Sequence, residues 1–336
     1  MKTAVFKGLK PLNLDSQMAC LASRGDLLAA GGFDGVARLF RLESRELKEA
    51  GACSGLSGWV TCLACGEGGL VAGADSQGNA MAWRGGKPLW SRKALSPSWL
   101  RKAAASPDGA TLALAGRDGI LRLLSMDSGA TRAELPIGDD LMALAWSRDG
   151  KKLAVGSLRG GVTIVGAGGA KQAAFEVPGF FKVVRLQEVG GIRVLEWGPG
   201  DSVLAAAGAE PVTGGFVEAI PKVVLLAPDG KVLHEAKLGT EKDGFALAGA
   251  WHPEGWLALV VSGQPGSGKL HQVDPGTGKP AGSLAVVNPH GLALAGADLA
   301  FVLTTNANSS GNGRVKDDKG GYRANHSVLS GIAISS

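Results

Sequence analysis

Leu100-Arg-Lys-Ala-Ala-Ala-Ser-Pro-Asp-Gly109, Leu112-Ala-Leu-Ala-Gly-Arg-Asp-Gly119 and Ile120-Leu-Arg-Leu-Leu124 follow one another almost without a gap. Each is a short apolar run. The first two end on Pro-Asp-Gly or Asp-Gly, which favour tight turns because Asp bonds its own backbone and Gly accepts a positive φ. Runs of about five residues are too short for stable helices and fit strands. The first run recurs at Met18, Val60, Leu141, Ile192 and Ala246, and more weakly from Gly291, as in Leu141-Met-Ala-Leu-Ala-Trp-Ser-Arg-Asp-Gly150. Copies start at 18, 60, 100, 141, 192, 246 and 291, at spacings of 42, 40, 41, 51, 54 and 45 residues. A second strand and a Gly turn follow in several copies, for example Leu28-Ala-Ala-Gly-Gly-Phe-Asp-Gly35. A third strand (Val36 to Phe40, Val162 to Val165) and a fourth (Val232 to Ala236) complete the unit. Four strands per period of about 40–45 residues are the mark of propeller blades.

The wider composition agrees. Glycine supplies 53 of 336 residues, about twice its usual share of ~7%. Each glycine inside a helix costs about 1 kcal/mol relative to alanine, so this chain disfavours long helices. Hydrophobic residues make up 45%, enough for a large core. The net charge of +5 is too diffuse to require a nucleic-acid or membrane partner. Four cysteines make no disulfide framework. Residues 1 to 14 carry Lys2, Lys7 and Lys10 without an apolar core of signal-peptide length. The most apolar stretch, 280 to 303, is broken by Asn288, Pro289, His290 and Asp298. A cytoplasmic protein, monomeric by itself, is the expectation.

Gly32-Phe-Asp-Gly-Val-Ala-Arg-Leu39 and Gly116-Arg-Asp-Gly-Ile-Leu-Arg-Leu123, with Ser106-Pro-Asp-Gly109, resemble the WD-repeat (WD40-like) β-propellers of the bacterial sort. The third strands lack the family's Trp-Asp pair: Phe40-Arg41, Trp83-Arg84 and Leu124-Ser125 stand there, and the Gly-His pair before the first strand is missing too. Asp274-Pro-Gly-Thr-Gly278 is a turn shared with propellers of the YVTN or quinoprotein type. The expected fold is all-β, one seven-bladed propeller over residues 1–336 with four-stranded antiparallel blades. Its last blade is short of a strand, so Thr3 to Phe6 is expected to complete it and close the ring.

Motifs with chemical potential read mostly as architecture. Cys62 and Cys65 lie three apart on a strand and so face opposite sides, while Cys20 occupies the slot of Cys62 one repeat earlier; all three read as core, and no metal is expected. Gly263-Gln-Pro-Gly-Ser-Gly-Lys269 lacks the final Ser/Thr of a phosphate-binding loop, and a strand follows it where a helix should. It reads as a turn inside blade six, and no cofactor is expected. Histidines 234, 252, 271, 290 and 326 fall in different elements and form no ligand set. The basic run Arg84 to Lys102, with Trp83, Trp90 and Trp99, invites a nucleic-acid reading. Strand periodicity instead places Trp90 and Trp99 in core positions and makes nucleic acid an improbable partner.

The spacings swell at one end of the ring. Insertions at Pro178 to Gly191, Gly208 to Pro221, Ser262 to Gly268 and Asn306 to His326 all belong to second-to-third-strand loops or blade crossings, which share an end. Long loops inside a compact repeat protein commonly carry function. The candidate binding residues on this face are Phe180, Phe181, Arg185, Glu210, Phe216, Glu218, Arg314, Lys316, Lys319, Tyr322 and Arg323. The expected function is a non-enzymatic scaffold for a protein partner. The alternative is a propeller enzyme of lactonase or quinoprotein type working in the central channel, where the inner strands offer only Arg101, Lys102, Arg193 and Glu196 as charged groups. A ligand-sized axial pocket with convergent polar groups favours that alternative.

Overall fold

A computed structural model of the chain describes residues 2–184, 186–212, 218–306, 309–310, 313–314 and 325–335. Among these, the strands build a seven-bladed propeller of antiparallel four-stranded blades. The first strand of each blade lies against the central channel, and the inner strands begin at Met18, Val60, Leu100, Leu141, Ile192, Phe245 and Pro289. The last two starts precede the expected 246 and 291 by one and two residues.

Burial runs outward through each blade. Second strands such as Leu27–Gly32 and Thr111–Gly116 are buried along their whole length, since neighbouring blades cover both faces. Outer strands such as Thr131–Pro136 alternate exposed and half-buried residues, the period-2 pattern of a half-covered sheet. The core is a series of inter-blade layers. One layer joins Ala143, Ala145 and Ile164 of blade four to Ile192, Leu195 and Trp197 of blade five. Cys62 and Cys65 fall in different layers on opposite sides of blade two, as their spacing predicts.

In blades three and five the second strand carries a glycine where the chains crowd. A Cβ on Gly116 would lie 2.0 Å from the Trp99 carbonyl oxygen, and one on Gly208 would lie 2.1 Å from that of Gly191. Glycine is needed there to let inner and second strands approach. Beside this crowding, the pairing slips by one residue in every blade. The slips fall at Met18/Cys20, Val60/Cys62, Leu100/Lys102, Leu141/Ala143, Ile192/Val194, Ala246/Ala248 and Pro289/Gly291. A bulge of this kind leaves one residue unpaired and re-aims its side chain.

The N-terminal strand closes the ring, displaced by two residues from the expected position. Val5–Gly8 pairs antiparallel with Ile332–Ser335 and supplies the outer strand of blade seven. Leu12–Asn13 adds a second short pairing to the same C-terminal strand, at Val328 and Leu329. Ala4 is buried, and Phe6 packs edge-on against Trp256 at 6.3 Å between ring centroids. The segment is also tied to blade six. Gln272, 1% exposed, accepts the Ala4 N–H at 2.8 Å and donates its amide to the Lys2 carbonyl at 3.0 Å.

Candidate functional site

The insertions lie at the end where the inner strands begin. Residues 178–191 contain a hairpin, Phe181–Val184 paired with Gln187–Gly190, with Leu186 fully exposed at its tip. Phe180 is not a surface residue: it is 0% exposed, in the core layer with Val177 and Trp197. Gly191 donates to the Phe180 carbonyl at 2.7 Å, which anchors the base of the hairpin and turns that ring inward. The Lys222 ammonium sits 5.4 Å from the Phe180 ring, bonded to the Pro178 carbonyl at 3.1 Å and paired with Glu235 at 2.7 Å. Phe181 is half-buried beneath the Arg159 guanidinium, which pairs with Glu188 at 2.6 Å. Glu210 pairs with Lys237 at 3.1 Å, and Glu218 is exposed. Arg314 lies on a two-residue strand, Gly313–Arg314, paired with Ser309–Ser310. Arg185, Phe216, Lys316, Lys319, Tyr322 and Arg323 lie outside the described residues.

The same end carries an aromatic cluster that strand periodicity does not anticipate. Trp99 is not a core residue. It is 38% exposed and stands edge to face with Trp59 (44% exposed) at 5.7 Å, and Trp59 meets Phe33 (36% exposed) in the same way at 5.0 Å. The three rings come from blades one, two and three and form a continuous ladder beside the channel mouth. Trp90, by contrast, is half-buried against the layer between blades two and three and bonds the Met126 carbonyl at 2.9 Å. The periodicity argument fails at Trp99 because this residue precedes the strand and stands at the end of the blade, covered on one side only by Trp59 of blade two.

The channel itself holds a cavity of about 420 Å³ lined by all seven inner strands. Its polar rim is made of bulge residues: Thr61, Arg101, Arg193 and His290 stand at the slipped positions of blades two, three, five and seven. The Thr61 hydroxyl donates to the Leu100 carbonyl, and His290 Nε2 lies 3.1 Å from the Met18 carbonyl oxygen. Arg101 forms a two-pronged pair with Asp140 at 2.8 and 2.9 Å, and its guanidinium lies 5.8 Å from the Trp99 ring. The Arg193 guanidinium carbon sits over the Phe245 ring, 4.3 Å from its centroid, and its Nε is buried and unbonded. Lys102 and Glu196 stand deeper.

These groups are packed around by protein while keeping some surface toward the channel. Burial lowers the Lys102 pKa from its usual value, and lowers that of Arg193 to about 10 with help from the nearby Arg101 charge. Burial pushes Glu196 up to about 8 against the opposing pull of Lys102 and Arg148. Cys62 and Cys65 are likewise raised to about 12 by burial. Both effects follow from a low-dielectric wall disfavouring charge.

Among the described residues, no group of three or more His, Cys, Asp or Glu side chains is arranged to hold a metal ion. Residues 263–268 join the antiparallel strands Leu257–Ser262 and Lys269–Val273, so that loop is a turn within blade six, and Lys269 pairs with Asp243 at 3.1 Å. Among the described residues, no helix is long and apolar enough to cross a membrane. Arg101, Lys102, Arg193 and Glu196 line the channel as the inner strands predict, whereas strand periodicity does not anticipate the exposed ladder or the bulges, although both leave a trace in the sequence. Trp59 and Trp99 occupy one slot of consecutive repeats, and the bulge residues occupy the next-but-one slot of theirs. No family model matches the chain, and no curated protein matches it.

Proposed function

We propose that the protein is a non-enzymatic interaction module, kin to the WD-repeat propellers, that receives a protein partner on its loop-rich end in the cytoplasm. The observation that carries this reading is the exposed Phe33–Trp59–Trp99 ladder. Aromatic rings left uncovered on a rigid frame are the residues that dominate binding energy at protein interfaces. They need little ordering on association, because each is already held against its neighbour. The exposed Arg117, and Arg101 beside Trp99, favour a partner segment with apolar anchors flanked by acidic residues. Kinship with WD repeats is supported by the turn aspartates. Asp34 binds Arg38 at 2.7 Å, and Asp118 binds Arg122 at 2.6 Å and Ser96 at 2.8 Å, each bracing the second-to-third-strand turn.

A photo-crosslinker placed at residue 99 should capture the partner, and one at the outer-strand residue Leu233 should not. The Trp59→Ala/Trp99→Ala variant should lose at least 100-fold in affinity with its melting temperature changed by less than 3 °C. Full affinity in that variant would refute the reading. The enzyme alternative has one observation in its favour, the ligand-sized channel cavity with Arg101, Lys102, Arg193, Glu196 and His290 around it. Among the described residues, Lys102, Arg193 and Glu196 make no side-chain hydrogen bond or ion pair, and that points first to binding.

A further inference from the structure

We propose that the central channel is a binding site for a small organic anion, a carboxylate or phosphate compound, held by Lys102 and Arg193. This goes beyond the docking of a partner on the outer ladder and does not depend on it. Among the described residues, Lys102 makes no hydrogen bond or ion pair, and Arg193 makes none beyond its stacking on Phe245. An ammonium has three donors and a guanidinium five, so the cavity wall carries two cations whose donors are almost all unused. Such groups are costly to bury unpaired, and proteins retain them where something else completes the pairing.

The neighbouring acids do not complete it. Asp140 spends both oxygens on Arg101, the first-choice cation beside it. Glu196 lies within reach of the Lys102 field but not within ion-pair distance, and burial holds it largely protonated at neutral pH. Around the cavity Arg101 is balanced by Asp140, while burial disfavours the charged form of Lys102, Arg193 and Glu196 alike, so an anion seated between Lys102 and Arg193 would restore the charge that their surroundings oppose. The two cations sit one residue apart in their repeats, in blades three and five, so they face the same length of channel from different sides. A volume of about 420 Å³ exceeds what a chloride ion needs and lies within the usual range for small-molecule sites. Phe245 packs against the Arg193 guanidinium at 4.3 Å, and the Nη donors, which have no protein partner among the described residues, suit a planar carboxylate or a phosphate.

The test uses the full chain with inorganic phosphate and citrate as probes, and sodium chloride at matched ionic strength as the reference. At ten times its dissociation constant, a bound anion should raise the melting temperature by about 2 °C in a chain of this length. Titration calorimetry then reports which probe binds more tightly, separating a phosphate site from a carboxylate site. Lys102→Met and Arg193→Met should each lose at least tenfold in affinity, while Lys171→Gln, exposed on the outer strand of blade four and away from the cavity, should bind as the parent does. The two methionine variants should melt no lower than the parent without ligand, since each removes a half-buried charge that has no protein partner among the described residues; a merely structural role would lower both. A shift no larger than that of sodium chloride with both probes would overturn the proposal, as would undiminished binding in both methionine variants.

Discussion

Gln272 offers the sharpest test of how the ring is closed. It lies on the third strand of blade six, yet both hydrogen bonds of its side chain go to residues 2 and 4. Gln272→Ala should remove two bonds at about 1 kcal/mol each and leave the buried Ala4 N–H with no protein partner. A total of about 2–3 kcal/mol is expected. Unfolding entropy near 2.1 cal/mol/K per residue makes each kilocalorie worth roughly 1.4 °C in a chain of 336 residues. The melting temperature should therefore fall by about 3–4 °C. Deleting residues 2–8 should lower it further, because Ala4, Phe6 and the pairing with Ile332–Ser335 are lost together. The deletion also uncovers the edge of Ser327–Ser335, a strand without charged residues, and light scattering should record aggregation. The decisive measurement is the double-mutant cycle. In the truncated chain Gln272 has nothing to bind, so Gln272→Ala should then be neutral or stabilising. An equal loss in both backgrounds would show that Gln272 acts by filling space, and the clamp would have to be abandoned.

Glu196→Gln should change the pH dependence of stability. The native carboxyl titrates near 8 and the unfolded one near 4.5, so the parent loses stability as pH rises between those values while the amide does not. The 3.5-unit gap sets a ceiling of about 5 kcal/mol, and water in the channel reduces it to roughly 2. The variant should match the parent at pH 4.5 and melt about 3 °C higher at pH 9; equal profiles would contradict the burial of Glu196. Cys53, Cys62 and Cys65 are buried with thiols raised to about 12, so a thiol reagent at pH 8 should find at most Cys20 in the native protein and all four after unfolding. Rapid reaction of three or more thiols would count against the packing described. Phe180→Ala should cost about 3–5 kcal/mol as a core truncation, read by denaturant unfolding, whereas a surface binding residue would leave stability within about 0.5 kcal/mol.

The architecture was legible because it repeats. A turn such as Arg117-Asp-Gly119 says little alone, but the same apolar run and corner at seven positions leave few folds open. The closing strand was legible by arithmetic, since blade seven was one strand short, though its register was not: local sequence cannot tell Thr3–Phe6 from Val5–Gly8 until Ile332–Ser335 is there to pair with it. The site was harder to read. Alternation along a strand sorts side chains only while the ladder stays in register, and the bulges at Arg101 and Arg193 reverse the sorting at the positions that line the channel. Phe180 misled for a related reason. Loop membership suggested exposure, but the hairpin that starts at Phe181 folds back and seats the preceding ring between blades four and five.

Because Val5 pairs with Ser335, the last contact of the ring joins residues separated by almost the whole chain. Drawing those ends together from an unfolded chain would cost roughly 5 kcal/mol in loop entropy. Blades one to six need no such search. Each inner strand meets its second strand across a short turn, and each blade rests on the one before it, as in repeat arrays that grow neighbour by neighbour. Stacking them bends the arc until the N-terminal segment lies beside its future partner, and the entropy is spent in small instalments before the final pairing. Closure thus belongs at the end of folding, as a docking of preformed parts. In stopped-flow refolding the truncated chain should keep the early phases and lose the last one, and until that step the arc has two bare ends, each shaped to accept a blade from another molecule.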